Sequence, residues 1–121
     1  MKYMLLIYNR PGFLEDLSEQ ARTELFAEVD TLMAELTESG ELVGGQALAD
    51  PSNTLTVRLG SGQPAVTDGP FMESREQFAG YVMVDCESLD RAVAIATRWP
   101  DVRLGGAMEV RAIMHESGAE M

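Results

Sequence analysis

Apolar residues follow a strand-like pattern in four separate segments of the chain. "MKYMLLIY" at 1–8 and "AGYVMVDC" at 79–86 are apolar at both parities of a two-residue repeat, which is typical of central strands covered on both faces. "ELVGGQAL" at 41–48 predicts another strand, and its glycine pair indicates a bulge or a close approach of two backbones. "GAMEVRAIM" at 106–114 predicts the last strand.

Two further segments carry apolar residues at helical spacing, and both are predicted to be amphipathic helices. The first follows Ser18, a suitable N-cap, and ends at Gly40, a suitable C′ residue. Its apolar stripe consists of Leu25, Phe26, Val29, Leu32, Met33 and Leu36. The second follows Ser88 and stops before Pro100. Its predicted inward positions are Leu89, Ala92, Val93 and Ala96.

The segment between the second and third of these strands has a pattern of its own. "NTLTVRLG" at 53–60 alternates apolar and polar positions, and "PAVT" at 64–67 follows the turn residues "SGQ". This pattern predicts a β-hairpin. Residues 71–78 are predicted to form one irregular helical turn.

Without the hairpin, the predicted order is strand–helix–strand, given twice. Two such split βαβ units make an α+β, ferredoxin-like sandwich, here with an inserted β-hairpin. We expect one domain over residues 1–121, with a frayed tail from about residue 115. The helices cover one face of such a sheet, and the other face is predicted to be apolar through Met4, Leu6, Val82 and Val84. An exposed apolar face favours pairing with a second copy, so a homodimer is predicted.

The net charge limits which partners the protein can bind, and the cysteine count and apolar runs indicate where in the cell it is found. Nine Lys and Arg residues against twenty Asp and Glu residues give a formal net charge of −11, which argues against nucleic acid and anionic membranes as partners. The single cysteine, Cys86, excludes an internal disulfide. The longest apolar run, "YMLLIY" at 3–8, is too short to cross a bilayer and lacks the flanks of a signal peptide. The cytoplasm is therefore the predicted location.

Charged residues surround a stiff turn in "TDGPFMESREQFAGY" at 67–81. Asp68 is expected to accept backbone amides in an Asx turn, while Gly69 tolerates positive φ and Pro70 fixes φ near about −65°. A structural role follows, in which Phe71 plugs the open end of a barrel formed by paired sheets. The same stiffness would also hold Asp68 at a cleft edge as a catalytic carboxylate. Both interpretations stay open at this point.

Several side chains are candidate ligand-binding groups beside Asp68. Glu73 and Arg75 would orient Asp68 or a polar ligand, Arg58 would clamp an anionic group, and Phe71 would border the ligand. The acidic residues at 68, 73 and 76 would suit only a hard, oxygen-liking cation, and surface charge explains them more simply. We therefore predict no metal ion, and the absence of a nucleotide-binding motif predicts no organic cofactor.

Two tyrosines are further candidates. Tyr8 and Tyr81 fall in predicted strands, from which their hydroxyls would line the cleft. The simpler interpretation is that each satisfies a single hydrogen bond.

The stretch "DGPFMESRE" at 68–76 resembles the "DGPFAETKE" motif of the DGPF branch of the YCII-related family. Ser74 and Arg75 keep the hydroxyl and the charge of that motif, whereas Met72 departs from it. "MKYMLLIY", "LVGG" at 42–45 and "GGAMEVR" at 105–111 also resemble this branch, so the resemblance covers nearly the whole chain. It implies a dimeric α+β barrel. For function it implies only that a few relatives act on small aromatic compounds and that some are encoded beside alternative sigma factors.

One feature of the wider family does not transfer. The YciI branch is suspected of using a histidine–aspartate pair, but His115 is the one histidine here and it lies in the predicted tail. Two function classes remain. In one, a cleft binds and converts a small aromatic or carbonyl-bearing metabolite by acid–base chemistry, with Asp68 as the proton-transfer group. In the other, the protein is a non-catalytic ligand-binding or regulatory partner module, linked for example to a sigma factor. An open apolar cleft favours the first class.

Overall fold

A computed structural model describes residues 1–117 as a four-stranded antiparallel sheet, helices on one face of it, and a separate two-stranded hairpin. The strands are β1 (Lys2–Asn9), β2 (Leu42–Ala47), β3 (Leu55–Gly60), β4 (Gln63–Asp68), β5 (Gln77–Asp85) and β6 (Ala107–Ala112). The helices are α1 (Phe13–Asp16), α2 (Glu19–Glu38), α3 (Leu89–Thr97) and α4 (Pro100–Arg103), with a 3₁₀ turn at Pro51–Asn53. Strand order β2-β5-β1-β6 is that of two split βαβ units. The predicted α+β, ferredoxin-like architecture is therefore confirmed, and the dimeric barrel stays a prediction.

The core lies between the sheet and the helices. It is built from Tyr3, Leu5, Leu32, Leu36, Val82, Val84, Cys86, Ala92, Ile95, Ala96 and Trp99. Leu5 and Val84 are fully buried. Leu5 pairs with Val82 and Tyr3 pairs with Val84 across β1 and β5, so these four side chains share the helix-covered face.

The opposite face of the sheet carries Met4, Leu6, Tyr8, Tyr81 and Met83, all half-buried. Met4 and Leu6 lie where they were predicted, but the prediction that Val82 and Val84 belong to this face was wrong. When odd and even positions of a strand are both apolar, the sequence does not indicate which set of side chains faces the helices. The register of β5 against β1 decides this, and it turns the even-numbered residues of β5 inward.

Helix α2 begins and ends as its sequence predicts. The Ala21 amide donates to Ser18 Oγ at 3.0 Å. At the other end Gly40 has φ 80°, and the Gly40 and Glu41 amides donate to the carbonyls of Thr37 and Leu36. These bonds form a Schellman motif, which satisfies carbonyls that the helix end leaves free.

Helix α3 has the predicted cap, because the Arg91 amide donates to Ser88 Oγ at 3.1 Å. Two of its predicted inward positions were wrong: Leu89 and Val93 are 53% and 45% exposed, and Ile95 is buried instead. A second short helix follows α3, because Pro100 is the first residue of α4 and proline suits the first position of a helix. Neither α1 nor α4 was predicted.

The bulge predicted at the glycine pair of β2 is confirmed by a register shift between Leu42 and Gly44. The close backbone approach is confirmed as well, since a Cβ added to Gly45 would lie 2.7 Å from the carbonyl oxygen of Tyr81. The helical turn predicted at 71–78 was wrong, because this segment contains bends and then enters β5. Of the predicted tail, 115–117 is without helix or strand, and Glu116 pairs with Lys2 Nζ at 2.6 Å. The rest of that tail lies outside the described residues.

A two-pronged ion pair joins the end of α2 to α3. The Arg91 guanidinium donates to both Glu41 carboxylate oxygens at 2.9 and 2.8 Å. These bonds, together with one from the Ser39 hydroxyl, lower the pKa of Glu41 from its usual 4.5 to about 2. Because the folded-state pKa is lowered, the stabilisation is fully present above the unfolded pKa of about 4.5 and is lost as the pH falls toward 2.

Glu41→Gln is expected to lower the free energy of unfolding by about 1 to 2 kcal/mol at pH 7. The figure is modest because the Arg91 side chain is 37% exposed, so solvent screens the pair. Urea unfolding at pH 7, 4 and 2.5 measures the effect, and the difference between variant and wild type should shrink with falling pH. Glu38→Gln, which removes a charge from an exposed residue at the end of α2, is the control. A difference that does not depend on pH would contradict this account.

Candidate functional site

An apolar cavity of about 300 Å³ lies between α2 and the sheet. Four residues of the apolar α2 stripe form its helical wall: Leu25, Phe26, Val29 and Met33. In the second half of α2, Leu32 and Leu36 are buried in the core. Leu25 is buried beside the cavity, whereas Phe26 is 49% exposed at its rim. One stripe thus builds both the packed core and the cavity wall.

The sheet supplies the floor of the cavity. Ile7 and Val82 contribute apolar side chains, and Gly45 brings the backbone of β2 close to that of β5. Trp99, which is 3% exposed, closes the cavity where α3 leads into α4. The floor and end wall are therefore built from four segments: β1, β2, β5 and the connection between α3 and α4.

A buried carboxylate borders this otherwise apolar space. Asp101 is 7% exposed and is the one charged side chain that is buried among residues 1–117. Asn9, the last residue of β1, donates from Nδ2 to Asp101 Oδ2 at 2.9 Å. Both residues line the cavity. The arrangement places a carboxylate at the edge of the cavity.

The backbone holds Asp101 in a fixed place. The Gly106 amide donates to the Asp101 carbonyl at 2.8 Å, and Pro100 beside it is fully buried. A Cβ at Gly106 would collide with the Tyr8 carbonyl oxygen, so the absence of a side chain lets α4 and β6 pack against the end of β1. The sequence alone predicts neither Asn9 nor Asp101 as a site residue. A carboxylate directly after Trp99 and Pro100 was the one signal in the sequence.

The predicted catalytic residue, Asp68, lies away from this cavity. It is exposed at the end of β4, and its carboxylate accepts no hydrogen bond from residues 1–117, so the predicted Asx turn is not formed. The turn is held instead at Gly69, whose amide donates to the Thr54 carbonyl and whose own carbonyl accepts from Thr56 Oγ1, both at 2.7 Å. Gly69 has φ 96°, in agreement with the positive φ allowed for it. Whether Asp68 has a role in function stays a prediction.

Two of the predicted ligand-binding residues meet on the surface. The Arg58 guanidinium carbon lies 5.0 Å from the centre of the Phe71 ring, a cation–π distance. Phe71 is 66% exposed and plugs no opening in this chain. Arg75 is exposed as well. Glu73 borders a second depression of about 290 Å³, which also contains Asp50 and Pro70.

The two tyrosines lie on β1 and β5. Tyr81 contributes to the cavity wall beside Gln46, its partner on β2. Tyr8 lies with Tyr81 on the sheet face away from the helices but is not part of the cavity wall, and its ring centre is 5.8 Å from that of Phe78. A hydrogen bond with Glu109, and then burial, raises the pKa of Tyr8 above its usual value. Tyr81 is thus the one predicted site residue that the structure places at the cavity.

Two further findings concern metals and membranes. Nowhere in the described range 1–117 do three or more His, Cys, Asp or Glu side chains come together in a way that would hold a metal ion, so Asp68, Glu73 and Glu76 form no such group. Over the same residues, none of the helices combines the length and the hydropathy needed to cross a bilayer.

The layers and the strand order place this chain among small α+β proteins of ferredoxin-like fold. The chain belongs to the YCII-related family, because the family model of the YCII-related domain matches residues 1–117. This confirms the family predicted from the sequence, while its DGPF branch stays a prediction. A relative, the uncharacterized protein R00369 of Rhizobium meliloti (strain 1021), is 30% identical over 96 residues, which are 79% of this chain and 77% of that protein.

A solved structure with a similar fold is that of 5-chloro-2-hydroxyhydroquinone dehydrochlorinase (TftG) from Burkholderia phenoliruptrix AC1100, in complex with 2,5-dihydroxybenzoquinone. The two chains align over 96% of each, with a TM-score of 0.55 and 18% sequence identity. At this identity the likeness establishes a shared fold.

Proposed function

We propose that this protein binds a small aromatic molecule in the cavity between α2 and the sheet, as a step toward its conversion by acid–base chemistry. The observation that carries the proposal is the cavity itself: about 300 Å³, walled by side chains such as Val29 and Trp99, with a buried carboxylate at its edge. An apolar cavity of about 150 Å³ already binds benzene. A single substituted ring therefore fits. The similarly folded TftG, a dehydrochlorinase of 5-chloro-2-hydroxyhydroquinone, supports this choice of ligand class.

Acid–base chemistry in this cavity would fall to Asp101 rather than to Asp68. Asp101 is the buried charged group that borders the cavity, and a general base must lie within hydrogen-bond reach of the proton it takes. Asp68 is exposed on the hairpin and absent from the cavity wall. A role for Asp68 would require a ligand that contacts the hairpin.

Trp99 is the single tryptophan of the chain and lines the cavity, so its fluorescence reports on occupancy. Titration with toluene or phenol is expected to change its emission and to raise the unfolding temperature, because a ligand that binds only the folded state stabilises it. Asp68→Asn is expected to leave both effects unchanged. No response to any single-ring probe up to millimolar concentration would contradict the proposal. A tenfold weaker response in Asp68→Asn, at unchanged stability, would move the site to the hairpin.

We also propose that the protein acts as a homodimer joined through the sheet face that carries Met4, Leu6 and Met83. The helices cover the other face, and this one is left with a row of half-buried apolar side chains. Faces of this kind mark interaction surfaces. Light scattering at micromolar concentration is expected to give twice the monomer mass, and Leu6→Glu is expected to give the monomer. A monodisperse wild-type monomer would contradict this proposal.

A regulatory partner module is the second candidate function, and the hairpin favours it. Leu55, Val57 and Leu59 share one face of β3, with Val66 opposite Val57 on β4. All four side chains are more than 60% exposed, which is unusual for a row of aliphatic residues. Ligand binding to the cavity distinguishes the candidates, because a partner module without a ligand would show none.

A further inference from the structure

The charge that lines the cavity is negative only. Asp101 is the charged residue in its wall, and no Lys, Arg or His among residues 1–117 lines it. Arg10 follows Asn9 in the chain, but its Nε pairs with Asp16 at 3.4 Å and its guanidinium lies 5.5 Å from the Phe13 ring centre. The cavity therefore has an acceptor for a ligand proton and no cation for a ligand anion.

The Asp101 carboxylate has one engaged oxygen and one free oxygen. Oδ2 accepts from Asn9 Nδ2, whereas no donor in residues 1–117 bonds to Oδ1. No side-chain oxygen or nitrogen in the described chain is both sealed from solvent and unpaired. The free oxygen therefore keeps some accessible surface, although the residue as a whole is only 7% exposed and borders the cavity. A carboxylate in this position lacks part of its hydration without a full set of protein donors to replace it.

We infer that the cavity selects neutral ring compounds that carry a hydroxyl group, and that it rejects ring carboxylates. The inference rests on the proposed function, since it names the ligand class of the same cavity. A phenol-type hydroxyl donates its proton to the free oxygen of Asp101, which gives a hydrogen bond to a charged acceptor, while the ring contacts the apolar wall. A carboxylate ligand would bring a second negative charge to a site where Asp101 is already negative and no cation among residues 1–117 lines the wall.

Asn9 acts as the positioning residue for this selection. Its amide holds Oδ2 from the end of β1, and the Gly106 amide holds the backbone of the same aspartate. These two bonds fix the direction of the free oxygen. A fixed acceptor favours a hydroxyl at one position of the ring over other positions.

Three probes that share one ring test the inference: toluene, phenol and benzoate, titrated against wild-type protein at pH 7 with Trp99 fluorescence and calorimetry. Phenol is expected to bind about tenfold more tightly than toluene, as one charge-assisted hydrogen bond allows, and benzoate is expected not to bind. Toluene binding as tightly as phenol, or benzoate binding as tightly as either, would overturn the inference and leave the proposed function standing. Failure of all three to bind would overturn the proposed function itself.

Two variants separate the charge of Asp101 from its shape. Asp101→Asn keeps the size and one acceptor but removes the charge, so the preference for phenol should fall and the exclusion of benzoate should weaken. Asp101→Leu removes the acceptor, so toluene should bind more tightly than phenol. Far-ultraviolet circular dichroism checks that each variant is folded. An unchanged order of the three probes in a folded Asp101→Leu protein would overturn the inference, and the wild-type series decides the matter if neither variant folds.

Discussion

Val29→Phe is expected to abolish ligand binding, with a loss of affinity of at least about 100-fold, while the protein stays folded. Val29 lies on the cavity face of α2 and is half-buried there. A phenylalanine at this position directs its ring into the empty volume and occupies the space that a ligand needs. Because the added atoms enter a cavity rather than a packed core, the free energy of unfolding should change by less than about 1 kcal/mol.

The Trp99 titration with phenol and toluene measures this loss. Thr31→Phe is the matched control, because it adds the same ring to α2 at an exposed position two residues away. It is expected to bind both probes as the wild type does. Wild-type affinity in a folded Val29→Phe protein would show that the ligand site lies elsewhere.

Gly45→Ala is expected to lower the free energy of unfolding by about 2 to 4 kcal/mol, the range in which backbone collisions fall. The new Cβ would lie 2.7 Å from the Tyr81 carbonyl oxygen and 3.2 Å from Val82 Cα. Both are backbone atoms, so no side chain can turn aside to relieve the collision. The strands β2 and β5 must separate, and the cavity floor that they form must widen.

The neighbouring residue supplies the control for this substitution. A Cβ added to Gly44 meets nothing within 4 Å, so Gly44→Ala should change stability by no more than about 0.5 kcal/mol, with a small gain from the stiffer unfolded chain. Urea unfolding of the two variants measures the difference. Equal effects at the two positions would contradict the close approach of β2 and β5.

The sequence predicts the elements of this fold well because periodicity and caps are local properties. Ser18, Gly40 and Ser88 mark helix ends through bonds to residues no more than four positions away, and the structure contains these bonds. The parity of β5 was missed for the opposite reason. Val82 and Tyr81 are both apolar enough to face either layer, and only the pairing with β1 decides between them.

The candidate site was predicted less well than the fold. The motif around Asp68 is conspicuous in the sequence, yet Asp68 is exposed at the end of the hairpin and the rest of the motif lies in the loop that follows. The cavity depends on how α2 packs over the sheet, and Asp101 contacts Asn9 only through the packing of α4 against β1. No local sequence pattern predicts the contact between Asn9 and Asp101, because neither residue belongs to a motif. A buried carboxylate has no signature until its neighbours are known.

Asn9 and Asp101 are separated by 92 positions along the chain, and this distance has a kinetic consequence. The binding space is complete only after β1 and α4 have come together, an event with a large loop-closure cost. A ligand that binds only the complete cavity should therefore slow unfolding and leave the rate of refolding nearly unchanged. Occupancy would prolong the lifetime of the native protein.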